Sequence, residues 1–253
     1  ATPNDYDSDP IAQIVEWGRQ GVVLDATVNL SASPYHANKS GIRVAVARSA
    51  AASLNHPFLL ANQVGGNDDL LFDGRSVIAW PNGTAVIAPA WKEGILIADL
   101  SSPEGCVWIG DGELSILGSD EEIEDEEDDL LDAIIIGLSD YCRKSGISKI
   151  VLGLSGGIDS ALAACVASAA VGPANVTGIS MPSRHSSQHS IDDARATAEA
   201  LGIEFSLQPI TELHTAADTA LAELLENGNP VAGENLQARL RGLIVMAHAN
   251  ANG

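Results

Sequence analysis

Basic residues are scarce in this chain. Thirteen Lys and Arg stand against 34 Asp and Glu, a formal net charge of −21 over 253 residues. That balance argues against a broad basic surface for a polyanion, so nucleic acid is not an expected partner. An anionic small ligand has to be held locally, by backbone N–H groups, a few Arg or Lys, and a metal. Aromatic residues make up only 4%, which leaves a core of Ala, Val, Ile and Leu. The three cysteines, Cys106, Cys142 and Cys165, lie far apart and form no Cys-x-x-Cys. They give neither a disulfide framework nor a zinc site and fit a reducing, cytoplasmic compartment. No apolar stretch approaches a membrane span, and the start, ATPNDYDSDP, lacks the pattern of a signal peptide. The chain opens on Ala1 and stops in VMAHANANG, directly after a helical pattern. It reads as a piece of a longer protein.

What is present falls into two segments. The run DEEIEDEEDD, residues 120–129, is acidic at nine of ten positions. Such a block repels itself and is expected to be a solvated linker. The expected organisation is a first domain over 1–118, the linker over 119–130 and a second domain over 131–253. In the first segment PIAQIVEWGRQ and IRVAVARSAAASL have helical spacing. VVLDATVNL reads as a buried strand, FLLANQV and GILIADL as further strands. SVIAWPNGTAVIAP reads as a hairpin, because Asn82-Gly83 between apolar runs is a favoured turn pair. The second segment alternates more regularly. LLDAIIIGLSDYCRKSG is a helix closed by Gly146. KIVLGL, NVTGISM and EFSLQPI are strands separated by the helices DSALAACVASAAVG and SIDDARATAEALG, the latter with Ser190 and Asp193 at cap spacing. A β-α-β-α-β order predicts a parallel sheet with ligands at the carboxyl ends of its strands.

One such end carries SGGIDS. Gly156 and Gly157 can turn sharply and let backbone approach a ligand closely. The N–H groups of the helix start favour an anion, and Ser155 and Ser160 add hydroxyls. Together these make a phosphate cradle. A carboxylate there would repel phosphate, so Asp159 makes sense as a holder of Mg²⁺ that bridges to the phosphates. The string is neither the Walker A pattern nor the G-x-G-x-x-G fingerprint. In the first segment NLSASPYHANK ends a strand in a polar loop where Ser31, Ser33, His36 and Lys39 could line a small site. No acid–His–Ser triad can be assigned there by spacing, and His36 reads as a hydrogen-bonded loop residue.

SGGIDS resembles the pyrophosphate loop of the ATP-pyrophosphatase superfamily. GISMPSRHSSQHSIDDA and the helix ENLQARLRG are similar to the NAD synthetases within it. PIAQI, NLSASPYH, NQVGGNDDLLFDG and the following hairpin resemble, in that order, the later half of a nitrilase-like glutaminase domain. The chain is therefore identified as a member of the glutamine-dependent NAD synthetase family. The resemblance implies an α/β fold: the C-terminal part of an αββα nitrilase-like sandwich, then the N-terminal part of a parallel-sheet adenine nucleotide α-hydrolase-like domain. It implies a carbon–nitrogen ligase that adenylates deamido-NAD⁺ with Mg-ATP and amidates it with ammonia from glutamine, releasing AMP and pyrophosphate. By the same resemblance Ser33 and Lys39 bind glutamine. Gly153, Leu154, Ser155, Gly156, Gly157, Ile158, Asp159 and Ser160 bind ATP, and Asp159 is the metal ligand. Asn235, Gln237 and Arg239 bind deamido-NAD⁺, Arg184 is a candidate contact to an anionic substrate, and homo-oligomers are expected.

The sequence also departs from the family. The glutaminase Glu, Lys and Cys precede the PIAQI region in the family pattern, so no catalytic residue is assigned in this chain. The family continues past the ENLQAR helix into further ATP and metal contacts, and Ala251 stands where Lys is usual. These residues alone are expected to be inactive. Two alternatives remain at this point: another ATP-pyrophosphatase amidoligase with a nitrilase-like domain, or a non-catalytic assembly subunit.

Overall fold

The computed structural model describes residues 8–37, 39–119, 126–184, 186–226 and 231–252. The chain divides into two compact units, Ala1–Gly137 and Leu138–Gly253, so the change of unit falls within a helix rather than within the acidic run.

The first unit opens with α1 (Pro10–Arg19). Asp9 caps it by accepting from the amides of Ile11 and Ala12 at 2.9 and 3.3 Å, and Pro10 at the first helical position loses no intrahelical bond. β1 (Thr27–Ser31), α2 (Lys39–Leu54) and β2 (Phe58–Asn62) follow, then the hairpin of β3 (Val64–Asn67) and β4 (Leu70–Asp73). β5 (Val77–Ala79), β6 (Ala85–Ile87), β7 (Ile95–Ile97), β8 (Cys106–Gly110) and β9 (Glu113–Leu117) complete the strands of this unit. One sheet runs β1-β2-β5-β6, parallel between β1 and β2 and antiparallel beyond, and β7-β8-β9 form a second, antiparallel sheet. The alanine face of α2, through Ala47, Ala50 and Ala51, packs on Phe58, Leu60, Val77 and Ala79. Small residues here let the helix approach the sheet closely, which is how a chain poor in aromatics still fills its core.

Two expectations change. VVLDATVNL is not one buried strand. Only Thr27–Ser31 is extended, and β1 ends the sheet with β2 as its only described neighbour. Val28 and Leu30 are 60% and 83% exposed; β-branched character gave the strand, but burial depends on a partner the pattern cannot supply. The antiparallel strands β8 and β9 carry a signal that the strand reading passed over. Asp111 and Gly112 both adopt positive φ, 52° and 78°, as a two-residue hairpin turn requires.

The second unit is entered through α3 (Glu126–Ser145), which begins four residues before the expected Leu130. Gly146 ends it at φ 70°, and the Ile147 amide bonds back to the Cys142 carbonyl at 2.8 Å, the left-handed closure expected of that glycine. β10 (Ile150–Gly153), α4 (Ile158–Val171), β11 (Val176–Ser180), α5 (Gln188–Leu201) and β12 (Glu204–Leu207) alternate as expected, with the three strands parallel in sequence order. α6 (Thr211–Ala220), α7 (Ala222–Glu226) and α8 (Val231–Asn252) follow. Leu154, Ala164, Ala167, Val176, Ala194, Ala198 and Ile203 form the core between sheet and helices. The cap of α5 is Ser187, not Ser190: its hydroxyl accepts from the Ser190 amide at 3.2 Å, three residues upstream of the expected cap. On α8 Leu243 is 57% exposed, and Ile244 and Val245 pack beside Ile179, Met181 and Ile210.

Candidate functional site

β10 delivers Gly153 to the edge of the sheet, and the chain turns into α4 within four residues. Leu154 anchors the turn from below, almost fully buried, with its amide on the Ile179 carbonyl at 2.8 Å. Gly156 sits at φ 82°, and a Cβ there would lie 2.3 Å from the Ser190 carbonyl oxygen at the start of α5. Only glycine meets both conditions. The two hydroxyls hold the loop closed on itself. Ser160 Oγ donates to the Gly157 carbonyl at 2.9 Å and accepts from the Ser155 amide at 3.2 Å. Ser155 Oγ accepts from the Gly157 amide at 3.2 Å and lies 3.1 Å from Ser160 Oγ. The serines thus shape the cradle as much as they offer donors to it.

Gly157 is the N-cap of α4 and has no side chain with which to cap it. The amides of Ile158, Asp159 and Ser160 therefore meet no acceptor within the helix, and the dipole places partial positive charge on them. This is an anion site made of backbone. It suits a chain with so few cations.

Asp159 lies exposed in the first turn of α4. Among the described residues no group of three or more His, Cys, Asp or Glu side chains could hold a metal. One carboxylate fits a magnesium ion that takes its remaining oxygens from nucleotide phosphates and water, which is how that ion is usually held.

Beside the loop opens a cavity of about 440 Å³. Gly153, Leu154 and Ser155 line it from β10 and the loop, Ser180 to Pro182 from the end of β11, and Ser186, Ser190 and Ile191 from the start of α5. From α8 the lining residues are Arg241, Gly242 and Val245. The structure does not bring Asn235, Gln237 or Arg239 into this cavity: Asn235 and Arg239 are exposed and Gln237 is half-buried. Arg241 escaped the sequence reading. Its Nε donates to the Met181 carbonyl at 3.2 Å. Its one clue is position, four residues after Gln237 and so on the same helix face. Arg184 does not line the cavity; its guanidinium is 3.6 Å from Asp218, which also faces the buried His214 at 3.5 Å.

In the first unit Ser33 and Lys39 bracket one loop. The Ser33 amide donates to Asn62 Oδ1 at 2.8 Å, and Lys39 Nζ donates to the Pro34 carbonyl at 2.8 Å. Ser31 ends β1 just before this loop, and within it His36 Nδ1 bonds the Ala37 carbonyl at 2.9 Å. Behind the loop lies a cluster the sequence did not disclose. Asp73 Oδ2 accepts from Arg43 and, at 3.2 and 3.4 Å, from Ser40 Oγ and Arg75. Arg75 also donates to both oxygens of Asp129, at 3.0 and 3.1 Å. Asp129, expected to be solvated with the rest of its run, is only 7% exposed; an ion pair with Arg75 draws it inward. Residues 120–125 of the run lie outside the described residues.

Cys106 and Cys142 are buried and Cys165 is exposed on α4. Burial pushes the Cys106 thiol up, away from the thiolate a nucleophile needs.

Two family models match in tandem: carbon-nitrogen hydrolase over residues 15–108 and NAD synthase over residues 130–253. A glutamine-dependent NAD(+) synthetase of Synechocystis is 42% identical over 98% of this chain, and one of Rhodobacter capsulatus is 42% identical over 87%. The chain belongs to the glutamine-dependent NAD(+) synthetase family. It spans 43% of the Synechocystis relative and 39% of the Rhodobacter one. Among solved structures, the glutamine-dependent NAD⁺ synthetase of Acinetobacter baumannii in complex with adenosine diphosphate superposes with a TM-score of 0.80 at 30% identity, covering 96% of this chain and 45% of that one. The Cytophaga hutchinsonii synthetase, 21% identical with a TM-score of 0.70 over 94% of this chain and 45% of that one, agrees in fold. The fold is thus a nitrilase-like carbon-nitrogen hydrolase portion followed by an NAD synthase portion built on a parallel sheet.

Proposed function

We propose that this chain is part of an enzyme that makes NAD⁺ from deamido-NAD⁺, ATP and glutamine. The observation that carries the proposal is the uncapped, glycine-closed loop of residues 153–160, which fits a polyphosphate in a chain otherwise hostile to anions. Family membership adds the acceptor and the nitrogen source. The amides of Ile158, Asp159 and Ser160 hold phosphate oxygens and favour charge that builds on them as pyrophosphate leaves. Asp159 holds Mg²⁺, which supplies electrostatic stabilisation of that charge when bound. The nicotinate carboxylate attacks the α-phosphorus, and ammonia then displaces AMP to leave the amide. Ser33 and Lys39 bind the glutamine whose amide nitrogen is released. Asn235, Gln237 and Arg239 serve deamido-NAD⁺ from the α8 side. The domains are taken as 1–118 and 131–253 about the acidic junction. The enzyme is a cytoplasmic homo-oligomer without nucleic-acid or membrane partners. Among the described residues, no helix is long and apolar enough to cross a membrane.

The test is Asp159→Ala in the protein expressed from its complete reading frame. NAD⁺ formation should fall at least about a hundredfold, the scale of losing one electrostatic element of a transition state. Glutamine hydrolysis should persist. NAD⁺ synthesis at the normal rate would refute the assignment of the loop.

A further inference from the structure

The last residue of the acidic run is the one part of it that the proposed function leaves unused, and it is buried. Asp129 receives three hydrogen bonds from two side chains: both oxygens from Arg75, and Oδ1 from Trp91 Nε1 at 2.7 Å. The Trp91 ring meets Tyr35 edge to face, centroids 4.9 Å apart at 69°. The Asp129 charge acts on the Tyr35 hydroxyl. Burial first, and then the Asp129 charge, push that hydroxyl up. Tyr35 lies two residues after Ser33 and four before Lys39.

The same loop is gripped from its other side. The Ser33 carbonyl accepts from Arg43 at 3.4 Å, and Arg43 is paired with Asp73, which Arg75 also reaches. Arg43 and Arg75 stand against Asp73 and Asp129 in the buried cluster, two cations facing two anions. Arg75 and Trp91, the two donors to Asp129, both hold positive φ, at 47° and 58°. Non-glycine residues persist in that region only where their surroundings fix them, and such strain collects at binding sites. An apolar cluster would hold a scaffold together at least as well as four buried charges. The charges do something an apolar cluster cannot: Arg43 holds the Ser33 carbonyl, and Asp129 fixes the Trp91 indole against which the Tyr35 ring packs.

We propose that Asp129 is a positioning residue for glutamine, fixing through Tyr35 and Trp91 the loop that carries Ser33 and Lys39. This rests on the reading that Ser33 and Lys39 bind glutamine. It makes the end of the acidic segment part of the glutaminase half.

The experiment is steady-state kinetics of Asp129→Asn, Trp91→Phe and Ser33→Ala in the protein from its complete reading frame, with glutamine and with ammonium chloride as alternative nitrogen donors. Asp129→Asn keeps the shape and removes the charge; it should raise KM for glutamine about tenfold while ammonia-dependent synthesis stays within about twofold. Trp91→Phe keeps the ring against Tyr35 and deletes one donor; its KM for glutamine should rise by a smaller factor. If Ser33→Ala raises KM for glutamine and neither Asp129→Asn nor Trp91→Phe does, positioning by Asp129 is wrong and the binding assignment stands. If Ser33→Ala leaves KM unchanged, the underlying reading fails and the proposal with it. Equal loss with both donors in step with a lower Tm means a purely structural role and overturns the proposal. Should Asp129→Asn fail to fold, Trp91→Phe decides.

Discussion

Gly156 concentrates the demands on the loop of residues 153–160 into one residue. Its φ of 82° costs an L-residue about 1–2 kcal/mol in principle, and the space a Cβ would occupy is taken by backbone, the Ser190 carbonyl oxygen. A flexible side chain could yield; a carbonyl in the first turn of α5 cannot move without disturbing the helix start. Gly156→Ala should therefore lower stability by about 1–3 kcal/mol, the scale of overpacking, and weaken nucleotide binding by more than tenfold. Denaturant titration and equilibrium binding of an ATP analogue would measure the two effects, and unchanged binding would mean that the loop need not sit against Ser190. The mixed outcome at α8 has a related physical origin. The motif ENLQARLRG marks α8 in the sequence, but which of its side chains enters the cavity depends on the roll of α8 about its axis. Packing of Ile244 and Val245 sets that roll, and it turns Arg241, rather than Arg239, toward the loop.

Among the elements, α5 shows how a boundary is set by one hydroxyl. HSSQHSIDDA offers several serines at cap spacing, and periodicity cannot choose among them because the apolar pattern starts only at Ile191. The structure selects Ser187, whose Oγ accepts from the Ser190 amide. The three residues this adds bring Ser190 against Gly156, so the cap also sets a wall of the 153–160 loop. Ser187→Ala should cost about 0.5–2 kcal/mol, the usual value of an N-cap oxygen, whereas Asp193→Ala should remove no cap. Its exposed pair with His189 is worth little in any case. Urea midpoints of the two variants would rank them, and a larger loss for Asp193→Ala would restore the cap first expected from the sequence. Strand and helix identity from α3 to β12 was legible because each element has its own period and a glycine or cap at its end, whereas α6 and α7 were not read from the sequence. In the first unit the hairpins β3–β4 and β8–β9 depend on their turns, and those turn residues had to be recognised before the strand pattern.

At the scale of the whole chain, order was easier to read than burial. β-α-β-α-β dictates a parallel sheet whatever packs against it, but nothing in VVLDATVNL tells whether β1 has a neighbour, and nothing in DEEIEDEEDD marks Asp129 as the residue drawn inward. Both depend on partners distant in sequence. The net charge of −21 is legible and has a global consequence. Nine of the 34 acidic residues lie within ten positions of the junction, so much of the self-repulsion is local. Folding brings these charges closer to the rest, and salt screens them over a Debye length that falls from about 30 Å at 0.01 M to about 8 Å at 0.15 M. Raising NaCl from about 0.01 to 0.5 M should therefore raise the Tm of this polypeptide by roughly 3–6 °C, equivalent to about 1–2 kcal/mol for a chain of this size. Choline chloride should act alike, since screening depends on ionic strength rather than on the cation. Replacing Glu121, Glu122, Glu124 and Asp125 by their amides should flatten the dependence while leaving Asp129 and its partners intact. A Tm that falls with salt would mean that attractive pairs such as Arg75–Asp129, and not net repulsion, dominate the electrostatics of the fold.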